Sequence, residues 1–288
     1  MMMERAPAKI NLSLQIVRRR DDGWHELESL VAFSHSGDVV SLDVSRASGL
    51  SVDGPYATLI GTHDNNLVLK AERALRERCE NLRSGAFHLT KKLPAAAGIG
   101  GGSSDAAATL RLLARANNLD MDDVRLLEAA RSVGADVPVC MEAKAKIMRG
   151  IGDKLGPPLH FPGIWAILVN PGVLLETREV FGRLNLVAGK PYSMNQHPDV
   201  GSGMSVADVF AVLRKTRNDL EDAASVIAPV ITDVLSVLGA ARGCKLSRMS
   251  GSGATCFGLF ESRTAASRAL ASIRRTRPQW WVKGCVLR

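Results

Sequence analysis

The amino-terminal part of the chain alternates hydrophobic and polar positions. The alternation runs through KINLSLQIV (residues 9–17) and returns in DGWHELESLVAF (22–33) and DVVSLDV (38–44). A period of two residues places apolar side chains on one face of a strand and polar ones on the other. The pattern therefore predicts strands of one sheet, the second entered through a turn at Asp22 and Gly23.

A period of four residues follows and predicts a helix. Leu67, Ala71 and Leu75 recur at this spacing and build an apolar stripe. Asn65 and Asn66 stand just before the stripe, where an asparagine side chain commonly caps the first turn. The helix is therefore expected to begin at about residue 67.

A glycine-rich stretch comes next. The predicted strand AFHLTKKL (86–93) runs directly into LPAAAGIGGGSSDAAATL (93–110). Glycine loses more backbone freedom on folding than any other residue, so this glycine cluster needs a compensating function. A strand, a glycine loop and a helix start aim unpaired N–H groups at one point, which favours a phosphate site. The helix after the loop is predicted to have a cap at Ser103 or Ser104, a buried stripe of Ala106, Leu110 and Leu113, and an end near Asn117 and Asn118.

Two other phosphate loops do not fit this spacing. A P-loop requires GxxxxGK[ST], and no lysine follows these glycines. A dinucleotide fingerprint requires GxGxxG, but the sixth position is Ser103 counted from Gly98 and Asp105 counted from Gly100. A glycine-rich turn that merely permits close helix packing remains the alternative.

The second half of the chain begins after LGPPLHFPG (155–163), where proline and glycine predict a domain boundary. Strands mixed with helices predict an α+β fold. The predicted elements are a buried strand IWAILV (164–169), helices over 177–184, 205–215 and 219–238 with an interruption at Pro229, the hairpin-like pair KLSRM and ATCFGLF, an alanine-rich helix and the strand WWVKGCVL.

Composition narrows the class of protein. The chain has 288 residues, of which 46% are hydrophobic, enough for a substantial core. Its 5 cysteines are odd in number, scattered and never in a CxxC pair, which argues against a disulfide framework or a zinc knuckle and for reduced, mostly buried thiols. No apolar stretch approaches the roughly 20 residues that span a bilayer, so no membrane partner and a cytoplasmic location are expected.

The net charge of +8 suits a polyanionic partner. Nucleic-acid binding calls for a dense basic face with interleaved aromatics, but aromatic residues make up only 5% of the chain. The tight basic cluster Arg18, Arg19 and Arg20 falls in a predicted turn. A basic surface that attracts phosphorylated small molecules is the favoured interpretation, with no nucleic-acid partner.

Three ordered stretches resemble the GHMP kinase superfamily. LPAAAGIGGGSSDAA is similar to its central ATP-binding motif, PAKINLSL (7–14) to its first motif, and SGSGATCFGLF (250–260) to its carboxy-terminal glycine motif. DGWHELESL, GADVPV, GIGD and NPG further resemble the 4-diphosphocytidyl-2-C-methyl-D-erythritol kinase family, over essentially the whole chain.

The resemblance implies transfer of the ATP γ-phosphoryl group to the 2-hydroxyl of a cytidine diphosphate-linked methylerythritol, in non-mevalonate isoprenoid precursor biosynthesis. It also implies a two-domain α+β fold, with an ATP-binding domain over 1–155, a substrate-side domain over 156–288, and the active site in the cleft between them. The alternatives are another GHMP kinase, of mevalonate or homoserine type, and a non-catalytic GHMP-fold sensor. The oligomeric state is left open.

Lys9 and Asp136 are the catalytic candidates. Phosphoryl transfer needs a carboxylate to accept the hydroxyl proton and a cation to steady the developing charge. Asp136 follows a helix predicted over 121–132 that Gly134 ends, and Pro138 is expected to prevent a restart. The resemblance assigns the base role to Asp136 and orientation of the hydroxyl to Lys9. The alternatives are a turn aspartate bonded to nearby amides and a strand whose polar face meets water.

The DGWH stretch is the candidate for the nucleobase. An aromatic ring stacks on cytosine, and an imidazole or its backbone bonds the base edge, which fits Trp24 and His25. The family usually has tyrosine where this chain has Trp24, so stacking is expected to survive without a phenol hydrogen bond. From residue types alone, a buried turn tryptophan beside a surface histidine is the alternative. The resemblance also assigns Asn11, Thr177, Phe181, Gly251 and Gly253 to the substrate.

On the nucleotide side, the resemblance implies ATP with Mg²⁺. Magnesium retains much of its water shell and needs only one or two protein ligands, none of which the sequence identifies. The remaining histidines, at 35, 63, 88, 160 and 197, lack the close spacing of a metal site and are assigned no function. The residues assigned to the nucleotide are Asn66, Lys91, Pro94, Ala95, Ala96, Ala97, Gly98, Ile99, Gly100, Gly101, Gly102, Ser103 and Ser104.

Overall fold

The computed structural model describes residues 1–60, 65–192 and 197–288. In these residues the chain forms runs of strands and runs of helices, which confirms the predicted α+β class. The strands are β1 Met2–Asn11, β2 Gln15–Arg19, β3 His25–Asp43, β4 Gly49–Asp53, β5 Ala86–Thr90, β6 Lys146–Gly150, β7 Lys154–Leu155, β8 Ile164–Asn170, β9 Cys244–Met249, β10 Cys256–Phe260 and β11 Trp281–Leu287. The helices are α1 Leu67–Arg76, α2 Gly101–Ala116, α3 Val124–Val133, α4 Val137–Glu142, α5 Thr177–Gly182, α6 Val206–Leu213, α7 Glu221–Ile227, α8 Val230–Ala240 and α9 Arg263–Thr276.

The amino-terminal strands differ in length from the prediction. The alternating stretch 9–17 forms two strands, because the chain leaves the β1 ladder after Asn11 and re-enters as β2 at Gln15. The two following stretches instead join into the single strand β3. A period of two identifies the residues that share a face, but it does not register where a ladder is interrupted.

The chain divides into two compact units, each built from separate segments. Unit 1 comprises Met1–Lys9, Ser36–Ala95 and Gly100–Ala143, and unit 2 comprises Ile10–His35, Ala96–Ile99 and Lys144–Arg288. Strands β1 and β3 therefore contribute residues to both units, as does the glycine-rich loop. The predicted domain boundary at residue 155 stays a prediction.

Unit 1 packs helices on a small sheet. Strand β5 pairs antiparallel with residues 39–43 of β3 and parallel with β4. Asn66 caps α1 by accepting the N–H of Val68 at 3.0 Å, as predicted, and the stripe residues Ala71 and Leu75 are fully buried. The helix α2 packs against α1 and α4, so it lies within the helical layer of this unit.

The start of α2 corrects the sequence prediction. The helix begins at Gly101, with Gly100 as its N-cap in the left-handed conformation at a φ of 61°. Ser103 and Ser104 therefore lie inside the first turn, and neither caps the helix. A glycine adopts a positive φ without steric cost, and the helix begins here with no side-chain cap. The buried stripe Ala106, Leu110 and Leu113 and the end at Asn117 are as predicted.

The region around Asp136 also differs from the prediction. Helix α3 begins after Asp123, later than expected, and ends at Gly134 as expected. Pro138 does not prevent a restart: it occupies the first turn of α4, and Asp136 is the N-cap residue of that helix. Proline is tolerated in a first turn because its missing N–H would have no partner there.

Unit 2 is built on an antiparallel sheet. The strands run in the order β3, β11, β8, β10 and β9, and β2 and β6 also pair with β3. The predicted hairpin-like pair is β9 and β10, with registry from Cys256 opposite Met249 to Phe260 opposite Cys244. The second-half helices lie close to their predicted positions, and the interruption at Pro229 separates α7 from α8.

Two predictions from composition can be compared with the structure. The cysteines of the described residues are all free thiols, and four of them, Cys79, Cys140, Cys256 and Cys285, are buried. Across residues 1–60, 65–192 and 197–288, no helix has both the length and the apolarity needed to cross a membrane.

Arg248 on β9 joins three segments of unit 2. Its side chain is buried and donates to the carbonyl oxygens of Leu12, Leu213 and Thr216 at 2.7, 3.0 and 2.6 Å. Leu12 lies in the break between β1 and β2, and Leu213 ends α6. Burial lowers the pKa of Arg248 to about 10, so the guanidinium stays charged at neutral pH. The planar fork of arginine fits several carbonyls at once.

We expect Arg248→Met to lower the free energy of unfolding by about 2–4 kcal/mol, because it leaves buried carbonyl oxygens without donors. Urea denaturation followed by circular dichroism measures the change. Arg268→Met, on the exposed face of α9, is the control and should stay within about 0.5 kcal/mol. Equal midpoints for the two variants would contradict an anchoring role for Arg248.

Candidate active site

The two catalytic candidates meet in unit 1. Lys9 Nζ lies 2.7 Å from Asp136 Oδ1, and the side chains are 5% and 39% exposed. Lys9 comes from β1 and Asp136 from the turn before α4. The alternative in which the polar strand face meets water is wrong, because Lys9 is buried. The pair thus combines a sheltered cation with a carboxylate that solvent, or a substrate, can reach.

Gly100 fixes the side chain of Lys9 from the other side. A Cβ atom added at Gly100 would lie 3.1 Å from Lys9 Cβ and 3.4 Å from its Cε. A substituted residue would therefore press on the aliphatic stem of the lysine, at a position whose φ of 61° already disfavours a side chain. Gly100 of the glycine-rich loop therefore lies next to the Lys9 side chain.

A buried thiol that the sequence did not single out lies near this pair. Cys140 Sγ lies 3.4 Å from Ser104 Oγ, to which its S–H can donate, and Cys140 is fully buried. Burial raises the pKa of the thiol to about 12, so it is neutral at physiological pH. The neutral thiol of Cys140 therefore provides no second proton acceptor beside Asp136.

The start of α2 presents backbone donors. The first intrahelical bond runs from Ser104 N to Gly100 O at 2.8 Å, so the N–H groups of Gly101, Gly102 and Ser103 precede the helical ladder. Such groups, with the positive end of the helix dipole, bind anions. The hydroxyl of Ser104 is engaged elsewhere, because it donates to Pro7 O at 2.6 Å.

The middle of the glycine-rich loop belongs to unit 2. A Cβ atom at Gly98 would lie 2.5 Å from Gly253 O and 2.6 Å from Ser250 O, so this position has room for glycine alone. Gly98 has a φ of 69° and Ala96 a φ of 46°. The loop residues Ala97 and Ile99 are buried, Pro94 is buried in unit 1, Ala95 is half-buried and Ala96 is exposed.

Lys91 is bound to two carboxylates. Its Nζ lies 2.6 Å from Asp38 Oδ2 and 2.7 Å from Asp105 Oδ2, and all three side chains are almost completely buried. Asp38 Oδ1 also accepts the N–H groups of Lys92 and Leu93 at 2.5 and 2.8 Å. We call these three side chains the buried bridge. The sequence assigned Lys91 to the nucleotide but predicted no role for Asp38 or Asp105.

Asn11 is held in unit 2 by two serines. Its backbone N–H donates to Ser250 Oγ at 3.1 Å, and its Nδ2 donates to Ser29 Oγ at 2.7 Å. Ser250 Oγ in turn donates to Gly98 O at 3.0 Å, which joins the two glycine motifs. Because Nδ2 faces Ser29, the amide oxygen of Asn11 points the other way, and a Cβ at Gly251 would lie 3.4 Å from it.

The residues assigned to the nucleobase also lie in unit 2. The ring centroids of His25 and Phe181 are 4.8 Å apart. Burial, and then the charge of Arg19, lower the pKa of His25, so the imidazole is neutral at pH 7. Trp24 is 59% exposed, which rules out the buried turn tryptophan weighed above. Its indole is open to contact.

The remaining substrate candidates are less closely grouped. Thr177, at the start of α5, has its hydroxyl 2.8 Å from Ser252 Oγ. Gly253 packs against Met249 and Leu175, where an added Cβ would lie 2.7 Å from Met249 Sδ. Gly253 is therefore buried against apolar side chains, whereas Gly251 adjoins the amide of Asn11.

Of the histidines assigned no function, His197 is buried and contacts the strand region near Asn11. Its Nδ1 lies 2.8 Å from Pro198 O, an acceptor only, so Nδ1 carries the hydrogen. Its Nε2 then accepts from Ser13 Oγ at 2.6 Å. No sequence spacing signals this contact, since the two residues are 184 positions apart. His63 lies outside the described residues.

The nucleotide-side residues fit a phosphate ligand better than a bare metal ion. Backbone N–H donors dominate the start of α2, and such donors suit phosphate oxygens. Among the described residues, no group of three or more His, Cys, Asp or Glu side chains is arranged to hold a metal ion.

Two family models and a close relative match the chain. The chain matches the model of the GHMP kinases N terminal domain over residues 66–144 and that of the GHMP kinases C terminal over 200–279. A 4-diphosphocytidyl-2-C-methyl-D-erythritol kinase of Methylobacterium radiotolerans is 50% identical over 289 residues, covering 100% of this chain and 99% of the relative.

Solved structures show the same fold. The crystal structure of a 4-(cytidine 5'-diphospho)-2C-methyl-D-erythritol kinase matches with a TM-score of 0.75 and 31% identity over 99% of each chain. A homoserine kinase from Cytophaga hutchinsonii has a TM-score of 0.66 at 18% identity, over 97% of this chain and 92% of the other, and shares the fold alone. With 50% identity along its full length, the chain belongs to the 4-diphosphocytidyl-2-C-methyl-D-erythritol kinase family of the GHMP kinases.

Proposed function

We propose that this kinase transfers the γ-phosphoryl group of ATP to the 2-hydroxyl of 4-diphosphocytidyl-2-C-methyl-D-erythritol, a step of non-mevalonate isoprenoid precursor biosynthesis. The observation that carries the proposal is the contact of Lys9 Nζ with Asp136 Oδ1 at 2.7 Å. The relatives of the same name support the choice of substrate. The proposed location is the cytoplasm, with neither a nucleic-acid nor a membrane partner.

The chemistry follows from the charges of the pair. Asp136 accepts the proton of the substrate 2-hydroxyl while the hydroxyl oxygen attacks the γ-phosphorus of ATP. The bond between the γ-phosphorus and the β,γ-bridging oxygen breaks, and ADP is released. Lys9 orients the hydroxyl beside Asp136 and stabilises the developing negative charge. The exposed fraction of the Asp136 side chain, 39%, leaves the carboxylate accessible to the acceptor.

The nucleotide is assigned to the glycine-rich loop, Asn66 and Lys91. The N–H groups that precede the α2 ladder bind phosphate oxygens, and the glycines keep side chains away from them. Mg²⁺, when bound, neutralises phosphate charge. Magnesium retains much of its water shell and would need only one or two protein ligands, which stay unassigned.

The cytidine is assigned to Trp24, His25, Thr177 and Phe181. A neutral imidazole packed on the Phe181 ring presents both a donor and an acceptor to a base edge. The exposed indole of Trp24 supplies a stacking face. Asn11, Gly251 and Gly253 are assigned to the rest of the substrate. The predicted location of the site in an inter-domain cleft stays a prediction.

Two alternatives remain testable in one experiment. A kinase of mevalonate or homoserine type would release ADP with those acceptors, and a sensor would release none. The paired Lys9 and Asp136 favour catalysis over sensing. We therefore expect ADP release from the purified protein with the cytidine-linked polyol, and none above background with mevalonate or homoserine offered in parallel.

We expect Lys9→Ala and Asp136→Asn each to lower kcat by at least about 10²–10⁴-fold, because each removes one partner of the proton-transfer pair. Nucleotide binding should be largely intact, since the N–H donors of α2 are unchanged. The measurements are steady-state ADP release and equilibrium binding of ATP.

The matched controls are Lys283→Ala and Asp122→Asn, which alter exposed residues outside the site and should keep kcat within about twofold. Near-normal turnover of either catalytic variant would refute the assigned roles. Loss of ATP binding together with turnover would assign the residue to the nucleotide instead.

We expect cytidine nucleotides to quench the fluorescence of Trp24, because its indole is 59% exposed and free to stack. The chain has 4 tryptophans, so the quench is taken as the difference between the wild-type protein and Trp24→Phe. Titration with CDP, followed by emission intensity, provides the measurement. An equal quench in both proteins would show that Trp24 does not stack on the base.

A further inference from the structure

We propose that the buried bridge of Asp38, Lys91 and Asp105 is a positioning device that ties together the two ends of the glycine-rich loop and thereby strengthens ATP binding. The proposal rests on the proposed function to the extent that this loop binds ATP. It concerns three side chains of unit 1, of which the resemblance assigns only Lys91, and it gives that residue an indirect role.

The residues of the buried bridge lie on both sides of the glycine-rich loop in the chain. Lys91 comes directly after β5, at the start of the loop, and Asp105 lies in α2, just past its end. The Lys91 ammonium binds both Asp105 and Asp38, at 2.7 and 2.6 Å. Asp38 on β3 therefore holds one end of the loop, and the ammonium connects it to the other.

Asp38 also binds the backbone at the start of the loop. Its Oδ1 accepts the N–H groups of Lys92 and Leu93, the residues that lead into Pro94. A carboxylate with two backbone donors and one ammonium fixes the direction in which the chain leaves β5. Every partner in this arrangement belongs to the protein, so its formation requires no ligand.

The Lys91 ammonium is buried beneath the start of α2. The Lys91 side chain is 4% exposed, and two of its three N–H donors lie on carboxylates. A Cβ at Gly101 would lie 3.2 Å from Lys91 Nζ, so the ammonium sits directly beneath the first residue of α2. Lys91 therefore acts on the nucleotide through the loop backbone that it supports.

A loop with fixed ends loses less conformational freedom when it binds a ligand. The seven residues from Pro94 to Gly100 span the segment between the two tied ends. Removing one arm of the bridge allows the ends to separate, and the backbone donors must then be ordered at the expense of binding. The expected consequence is a higher KM for ATP, with the chemical step at saturating ATP little changed.

The bridge needs an oxygen acceptor at Asp105 more than it needs a second negative charge. Two carboxylates face one ammonium, and Asp105 Oδ1 has no hydrogen-bond partner among the described residues. The charged groups that face the Asp105 carboxyl are Lys91 and Asp38. Burial, and repulsion by Asp38, raise its pKa to about 7 despite the opposing pull of Lys91. An asparagine at this position keeps the acceptor and leaves one cation with one anion.

Asp105→Asn and Asp105→Leu separate the positioning role from general stability. Both variants remove the charge and leave Lys91 paired with Asp38, but only Asp105→Asn retains an oxygen for Lys91. We expect Asp105→Leu to raise the KM for ATP about tenfold, with kcat and the KM for the cytidine-linked substrate within about twofold. Asp105→Asn should restore a KM for ATP close to that of the wild-type protein.

A second variant tests the other arm. Asp38→Asn turns an amide N–H₂ towards Lys91 if its oxygen stays on the two backbone N–H groups, so it should also raise the KM for ATP. Glu72→Gln, a buried carboxylate of α1 paired with Arg76, is the matched control and should leave this KM unchanged. Circular dichroism spectra and unfolding midpoints of all variants accompany the kinetics.

The outcomes decide the proposal. A wild-type KM for ATP in both Asp105→Leu and Asp38→Asn would overturn the proposal. It would also be overturned if Asp105→Leu lowered kcat and raised both KM values by the same factor and Asp105→Asn restored none of them. A wild-type protein that fails to release ADP with the cytidine-linked polyol contradicts the proposed substrate instead. In that case, equilibrium ATP binding to the same variants still tests the bridge.

The raised pKa of Asp105 predicts a pH-dependent difference in stability. Its folded-state pKa of about 7 exceeds the ordinary value of 3.8, so the folded protein binds more protons than the unfolded chain between these values. The contribution of Asp105 to stability therefore falls as the pH rises through this window. We expect the unfolding free energy of Asp105→Asn, relative to wild type, to increase from about pH 5 to about pH 8. Urea midpoints at both pH values provide the measurement, and a constant difference would contradict it.

Discussion

The contact between Lys9 and Asp136 is the interaction on which the site depends. It unites a cation from the first strand with a carboxylate that precedes a short helix, 127 positions later in the chain. Gly100 leaves room for the aliphatic stem of the lysine, where any added Cβ atom would lie 3.1 Å from Lys9 Cβ, so the loop that is assigned to ATP adjoins this cation. Phosphoryl transfer relies mainly on such positioning, because the protein contributes little covalent chemistry of its own.

Much of the fold could be predicted from the sequence, and the errors share a physical cause. Periodicity identified the buried stripe of α2 and the strand pair β9 and β10, since both are local patterns. It missed the break after Asn11 and the start of α4 at Val137, because these depend on partners far along the chain and on first-turn geometry. The predicted cap of α2 was wrong because the helix already begins at Gly101, so Ser103 and Ser104 lie inside its first turn.

The site was predicted unevenly for the same reason. Motif letters pointed to Lys9, Asp136 and the glycine loop, which have distinctive neighbours in the sequence. Nothing local distinguishes Asp38, whose role arises from a lysine 53 positions away. Ser250 lies in the carboxy-terminal glycine motif, but the motif does not reveal its contact with an asparagine 239 positions away. Hydrogen bonds that join distant segments leave no periodic signal, so they emerge only when the chain is folded.

Chemical modification of the Cys140 thiol can measure local opening of this protein. Cys140 is fully buried, its Sγ lies 3.4 Å from Ser104 Oγ, and its high pKa keeps it protonated. Thiolates, not thiols, attack alkylating and disulfide reagents. The rate at which such a reagent modifies Cys140 therefore reports how often unit 1 opens locally around Lys9 and Asp136. This side chain is thus an intrinsic probe of local unfolding next to the candidate active site.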